Sequence, residues 1–261
     1  MDVKVQISAG DSVSGLLQMP ERPFACFVLA HGAGAGMTHK FMTAVAEGLG
    51  DRGMATLRYQ FPYMEHGSKR PDRPAIAHAA VRAAVAAAAS LMPGLPLIAG
   101  GKSFGARMTS QTQAEAALDR VMGLAFLGFP LHPAGKPSID RAEHLARVHV
   151  PMLFLQGTRD ALAEPELLAT VVERLPGLAT PHLMADADHS FHVPARSGKT
   201  DAQVLAEALD TLAEWARSTR GSARTENVPD LRARRLRHEM PGSGPGMTDG
   251  WPVRHFFRQL V

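Results

Sequence analysis

The chain has 261 residues, of which 45% are hydrophobic and 20% charged, with a formal net charge of +3. A chain of that size and balance buries a full core and is ordinary for a soluble globular protein. Its single cysteine, Cys26, excludes an internal disulfide.

The charge is unevenly placed. Residues 219–261 hold eight arginines and four acidic residues, so the positive excess sits there and the rest of the chain is near neutral. The expected organisation is one α/β domain over 1–218 and a basic, Pro/Gly-containing extension over 219–261. That extension reads as flexible rather than as a nucleic-acid or membrane-binding arm. Within it, residues 231–237 fit a short basic helix and residues 241–246 a linker. The N-terminus alternates polar and apolar residues and lacks the apolar segment of a secretory signal. No run reads as long and apolar enough to span a bilayer. The expected setting is the cytoplasm.

In chain order, residues 3–7 and 13–19 read as two short strands around a turn at Ala9-Gly10-Asp11. Residues 24–30 are nearly all apolar, as in a strand buried on both faces of a parallel sheet. Cys26 lies inside that run and reads as a small core residue. The run ends in His31-Gly32-Ala33-Gly34-Ala35-Gly36, and a helix follows over 38–49. Further strands are predicted at 54–59, 97–99, 121–127, 150–156 and 180–185. Helices are predicted at 75–91, 106–118, 165–174 and 201–218. A polar loop spans 60–74 and a Pro/Gly-rich loop spans 128–137. The alternation of strand and helix from Phe24 onward predicts a mostly parallel twisted sheet with helices on both faces. About two dozen residues separate the strands at 121–127 and 150–156, too few for a large cap domain.

Four predicted strand ends carry chemistry, and in open α/β sheets function gathers at such ends. Gly101-Lys102-Ser103-Phe104-Gly105 joins a strand directly to a helix. Glycines two before and two after a serine permit the tight turn that lifts the hydroxyl above the sheet. The helix then points its first amides toward that hydroxyl, where they can stabilise negative charge. His31-Gly32-Ala33-Gly34 offers a second amide, that of Ala33, to pair with the amide of Phe104 around an oxyanion. Leu155-Gln156-Gly157-Thr158-Arg159-Asp160 places Asp160 where it can orient a histidine. Asp188-His189-Ser190-Phe191 supplies His189 as general base, with His192 as its neighbour and competitor. Asp186 and Asp188 compete with Asp160 for the acid role. The order Ser103, Asp160, His189 is that of α/β-hydrolases rather than of the two familiar protease folds.

The chain therefore resembles the α/β-hydrolase superfamily, in its small, capless, dienelactone-hydrolase-like branch. Within that branch it is similar to the testis-expressed and chromatin-complex hydrolase-like proteins. The resemblance covers residues 3–218 and includes Arg58-Tyr59-Gln60-Phe61-Pro62 beside the motifs above. It implies nucleophile Ser103, acid Asp160 and base His189. Dienelactone hydrolases proper carry cysteine where Ser103 stands, so their substrate does not transfer.

The expected activity is hydrolysis of a small ester, thioester or related acyl bond through an acyl-enzyme on Ser103, with no cofactor. Phe61, Tyr63 and Met64 after one strand, and Phe129 and His132 after another, are the expected pocket residues. The site is expected to be shallow and open, and Lys102 and Lys136 could favour an anionic substrate. No metal site is expected, because His78, His132 and His144 lack zinc-helix spacing. Gly-x-Gly-x-x-Gly does not fit residues 31–36, which argues against a dinucleotide. The alternative from another class is a silent hydrolase fold acting as an interaction module through its basic tail. The sequence leaves the oligomeric state open.

Overall fold

The computed structural model describes residues 1–175 and 177–226. A hairpin of β1 (Asp2–Ser8) and β2 (Asp11–Gln18) comes first. It is followed by β3 (Ala25–Ala30), α1 (Lys40–Asp51), β4 (Met54–Tyr59), a one-turn α2 (Pro62–Glu65) and α3 (Pro74–Leu91). The second half contains β5 (Leu97–Lys102), α4 (Phe104–Glu115), β6 (Val121–Leu127), β7 (Met152–Gly157), α5 (Pro165–Glu173), β8 (Ala179–Met184) and α6 (Asp201–Glu226).

The strands form one eight-stranded sheet in the order β1-β2-β4-β3-β5-β6-β7-β8. Two pairs, β1 with β2 and β2 with β4, are antiparallel, and the others are parallel. Side chains of a strand point alternately to the two faces. In β3, Cys26, Val28 and Ala30 enter the core under α3 and α4, while Ala25, Phe27 and Leu29 enter the core under α1 and α6. Cys26 is thus a core residue, and burial pushes its thiol up to about 12. On α1, Met42, Val45, Ala46 and Leu49 are buried. Their spacing is that of one helical face, and each large side chain contributes roughly 1.5–3 kcal/mol by leaving water.

β4 lies on one side of β3 and β5 on the other. The chain therefore reverses its direction of travel across the sheet beside β3, and a crevice opens there between the carboxyl ends of β3 and β5. His31 and Ser103 stand at those two ends.

Three departures from the sequence reading have local causes. The polar loop after β4 contains α2, where Pro62 stands at the first helical position. Asp140–Arg147 forms a 3-10 helix against α4, and the segment between β6 and β7 holds no cap domain. The last helix runs to Glu226, so the boundary expected at residue 218 falls inside α6 and the compact unit is Met1–Glu226. The basic helix and linker expected at 231–237 and 241–246 lie outside the described residues.

One expectation is corrected. α3 is long and apolar enough, by length and composition, to cross a membrane. Its alanine content produces that hydropathy. Here Ala77, Ala80, Val81, Ala84, Val85 and Ala88 are packed into the core beside β1 and α4.

Candidate functional site

Ser103 sits between β5 and α4 with φ 51° and ψ −109°, outside the regions open to most residues. Such a conformation costs on the order of 1–3 kcal/mol and is held by its surroundings. The two flanking glycines are needed for space. A Cβ at Gly101 would lie 2.1 Å from the Ala30 carbonyl oxygen, and one at Gly105 would lie 2.6 Å from the same atom. Side chains there would force the elbow off β3. The first amide of α4, that of Phe104, has no acceptor within its own helix and is free to serve a ligand.

Ser103, His189 and Asp160 are brought together. His189 Nε2 is 2.9 Å from Ser103 Oγ, and His189 Nδ1 is 2.7 Å from Asp160 Oδ2. The Asp160 carboxylate is fully buried and the imidazole is about a quarter exposed. Asp160 accepts further bonds from the amide of Leu162 at 2.8 Å and from Gln156 Nε2. Gln156 is itself pinned, because its Oε1 accepts from the Phe129 amide at 2.8 Å. The hydrogen-bonding capacity of this buried carboxylate is thus met by protein donors rather than by water.

The other acidic candidates separate from the site. Asp188 turns its Oδ1 back onto the amides of Ser190 and His192, at 2.7 and 3.0 Å, and so shapes the loop that carries His189. Phe191 closes that loop with φ 65°. Asp186 donates its amide to Thr158 Oγ1. His192 pairs with Asp201 at the surface, not with Asp160.

The loop after β3 is fixed by His31. Burial holds this imidazole at about 4, so it is neutral near pH 7. Nε2 accepts from the Phe61 amide at 3.0 Å, and Nδ1 is 2.8 Å from the Gly32 carbonyl oxygen, which it serves as donor. The Gly34 amide is engaged by Tyr63 Oη. Ala33 faces the cavity beside Ser103.

That cavity has a volume of about 900 Å³. It opens on the α1 and α6 side and is lined by Phe41, Met42, Leu162, Phe191 and Leu205 around Ser103. That volume lies in the upper part of the usual range for ligand sites.

None of the five expected pocket residues lines it. Phe61 is fully buried, edge-on to His31 and Phe104. Tyr63 props the glycine loop, and Met64 packs on the core beneath it. Phe129 packs between Phe126 and Phe154. His132 is buried against Glu164. These side chains turn down into the core because the loops after β4 and β6 fold over the α3 and α4 face of the sheet.

A second serine–histidine contact, Ser110 Oγ to His144 Nε2 at 2.7 Å, joins α4 to the 3-10 helix. Both residues are buried, and no carboxylate pairs with His144 among the described residues. Burial, with Arg147 and Arg107 nearby, holds His144 neutral at about 4. The contact packs two helices. No group of three potential metal ligands occurs among the described residues.

Sequence reasoning missed Gln156 as the support of Asp160, His31 as the anchor of the glycine loop, and Phe41, Met42 and Leu205 as pocket walls. Gln156 sits four residues before Asp160 in a buried strand, and a polar residue there was the available signal. The pocket walls have no local signal.

Residues 23–217 match the model of the alpha/beta hydrolase domain family. Among solved structures, the chain is similar to a dienelactone hydrolase from Anabaena variabilis, at 19% identity and TM-score 0.66 over 82% of this chain and 95% of that one. It is similar to an alpha-beta serine hydrolase homologue from Coxiella burnetii, at 19% identity and TM-score 0.64 over 82% and 96%. An esterase domain from Rhodothermus marinus matches at 18% identity and TM-score 0.63 over 84% and 98%.

Proposed function

The chain belongs to the alpha/beta hydrolase family, and on that premise we propose that it is a serine hydrolase cleaving an ester, thioester or related acyl bond. The observation that carries the proposal is the unbroken hydrogen-bonded series Ser103 Oγ, His189 Nε2, His189 Nδ1, Asp160 Oδ2. Ser103 Oγ attacks the substrate carbonyl carbon while His189 Nε2 takes its proton. Asp160 keeps the Nδ1–H tautomer and stabilises the imidazolium that forms. The amides of Ala33 and Phe104 hold the oxyanion. His189 returns the proton to the departing alcohol or thiol, leaving an acyl group on Ser103. Water, deprotonated by His189, then attacks the acyl carbon, and His189 passes that proton to Ser103 Oγ as the bond to the serine breaks and the acid leaves. The walls formed by Phe41, Met42, Phe191 and Leu205 suit an apolar acyl or alcohol portion. A cytoplasmic setting is part of the proposal, supported by the lone buried cysteine.

The test is covalent labelling of the full chain with a fluorophosphonate, whose phosphonyl oxygen mimics the tetrahedral oxyanion. One adduct per chain is expected, on the peptide bearing Ser103, with loss of hydrolysis of p-nitrophenyl esters. Ser103→Ala should abolish labelling without altering the circular dichroism. A well-folded sample left unlabelled under excess reagent, or labelled elsewhere, refutes the assignment.

A further inference from the structure

We propose that Lys102, the residue immediately before the nucleophile, is a positioning residue whose ammonium ties the His189 loop to the elbow and so holds the imidazole on Ser103. The proposal rests on the roles given above to Ser103 and His189.

Lys102 Nζ donates to the main-chain carbonyl oxygen of His189. Among the described residues, this and the His189–Ser103 bond are the hydrogen bonds that join residues 188–192 to residues 101–105. The ammonium also lies 5.3 Å from the ring centroid of Phe191, in the same loop, and 5.9 Å from that of Phe41, in α1. Gly128, just past β6, leaves the room. A Cβ there would stand 2.7 Å from Nζ and 3.4 Å from the His189 ring. The end of β5, the end of β6, the first turn of α1 and the histidine loop thus converge on one cation.

The loop needs such a tether. Its start is fixed to the end of β7, through Arg159 N to the Ala187 carbonyl and Asp186 N to Thr158 Oγ1. From Asp188 onward its backbone bonds, apart from the one Lys102 makes to the His189 carbonyl, run within the loop or to Asp201 of α6 and set its shape. Lys102 supplies the main-chain tie from this loop to the elbow, beside the Asp160 bond to the His189 ring and the buried Phe191 side chain. No carboxylate forms an ion pair with Lys102 among the described residues, so the ammonium is committed to a neutral carbonyl and two aromatic faces. Burial dominates its environment and pushes it down to about 8, while Asp160 at the end of β7 and Asp188 in the loop pull the other way.

The test uses the full chain and a neutral ester, p-nitrophenyl butyrate. Fluorophosphonate labelling of the wild type comes first; its absence would refute the serine hydrolase reading rather than this one. Lys102→Met should lower kcat about tenfold to 10²-fold, the cost of misplacing a reacting group by about 1 Å, with KM within about twofold. Lys102→Arg should restore most of the loss. The wild type should lose turnover as pH rises through about 8, and the arginine variant should not, because a guanidinium keeps its proton. Wild-type kcat in Lys102→Met overturns the proposal. So does a loss confined to KM for esters carrying a carboxylate, which would make Lys102 a reader of substrate charge. If Lys102→Met does not fold, the two pH profiles decide: an alkaline loss that persists in Lys102→Arg overturns it.

Discussion

Replacing Asp160 with asparagine separates the charge of the carboxylate from its shape. Asp160 Oδ2 faces two donors, His189 Nδ1 at 2.7 Å and Gln156 Nε2, and Oδ1 faces the Leu162 amide at 2.8 Å. An asparagine has one acceptor and one donor end, so one of these contacts must fail. With its oxygen toward His189, its NH2 group meets the Leu162 N–H donor to donor. With its NH2 toward His189, it collides with Gln156 Nε2, and Gln156 cannot turn over without losing the Phe129 amide. That second arrangement also leaves Nδ1 as acceptor and puts the proton on Nε2, where it blocks deprotonation of Ser103. Either way one buried donor loses its partner, which costs about 1–3 kcal/mol of stability. For a domain of this size that lowers Tm by several degrees, at about 2–4 °C per kcal/mol. The loss of rate should be far larger. The same exchange in a serine protease triad costs about 10⁴ in kcat, or roughly 5 kcal/mol of barrier. The assay is kcat for p-nitrophenyl butyrate, with Tm followed by circular dichroism on the same sample. A kcat within about threefold of wild type, in a protein with the expected small Tm loss, would refute the role given to Asp160.

His189→Ala should cut ester turnover by orders of magnitude while His192→Ala leaves it within a few-fold, because His192 faces Asp201 and not Ser103; equal losses in the two variants count against His189 as base. Stability should also depend on pH through the two buried neutral histidines. His31 and His144 both fall from 6.5 to about 4 on folding. The unfolded chain therefore binds protons more readily between those values, so their contribution is present above about 6.5 and lost as pH falls toward 4. Tm measured across that range should decline, and a flat profile refutes the burial of both rings as neutral groups.

The sequence by itself determined the sheet, the elbow and the three side chains that meet there, Ser103, Asp160 and His189. Apolar runs of six or seven residues separated by amphipathic segments admit little besides a parallel sheet, and β3, β4, β6 and β7 lie within a residue or two of their predicted limits. Gly101-Lys102-Ser103-Phe104-Gly105 was readable because its constraint is local, a turn that tolerates no Cβ at its flanks. Asp160 and His189 were readable because a parallel sheet brings every strand's carboxyl end to one edge. The pocket was not readable, because its walls come from segments far apart in the chain: the first turn of α1, the histidine loop and the start of α6. Which face of the sheet a strand-end loop folds over is settled by packing, and here the loops after β4 and β6 fold toward α3 and α4. That choice turned Phe61, Phe129 and His132 into the core and left the opposite side of Ser103 open. The partners of Asp160 and Lys102 likewise depend on long-range approach, Gln156 reaching Phe129 and Lys102 reaching the His189 carbonyl. Residue type and periodicity carry the local rules of chain conformation, whereas the direction a buried polar side chain takes is decided by the neighbours that folding brings to it.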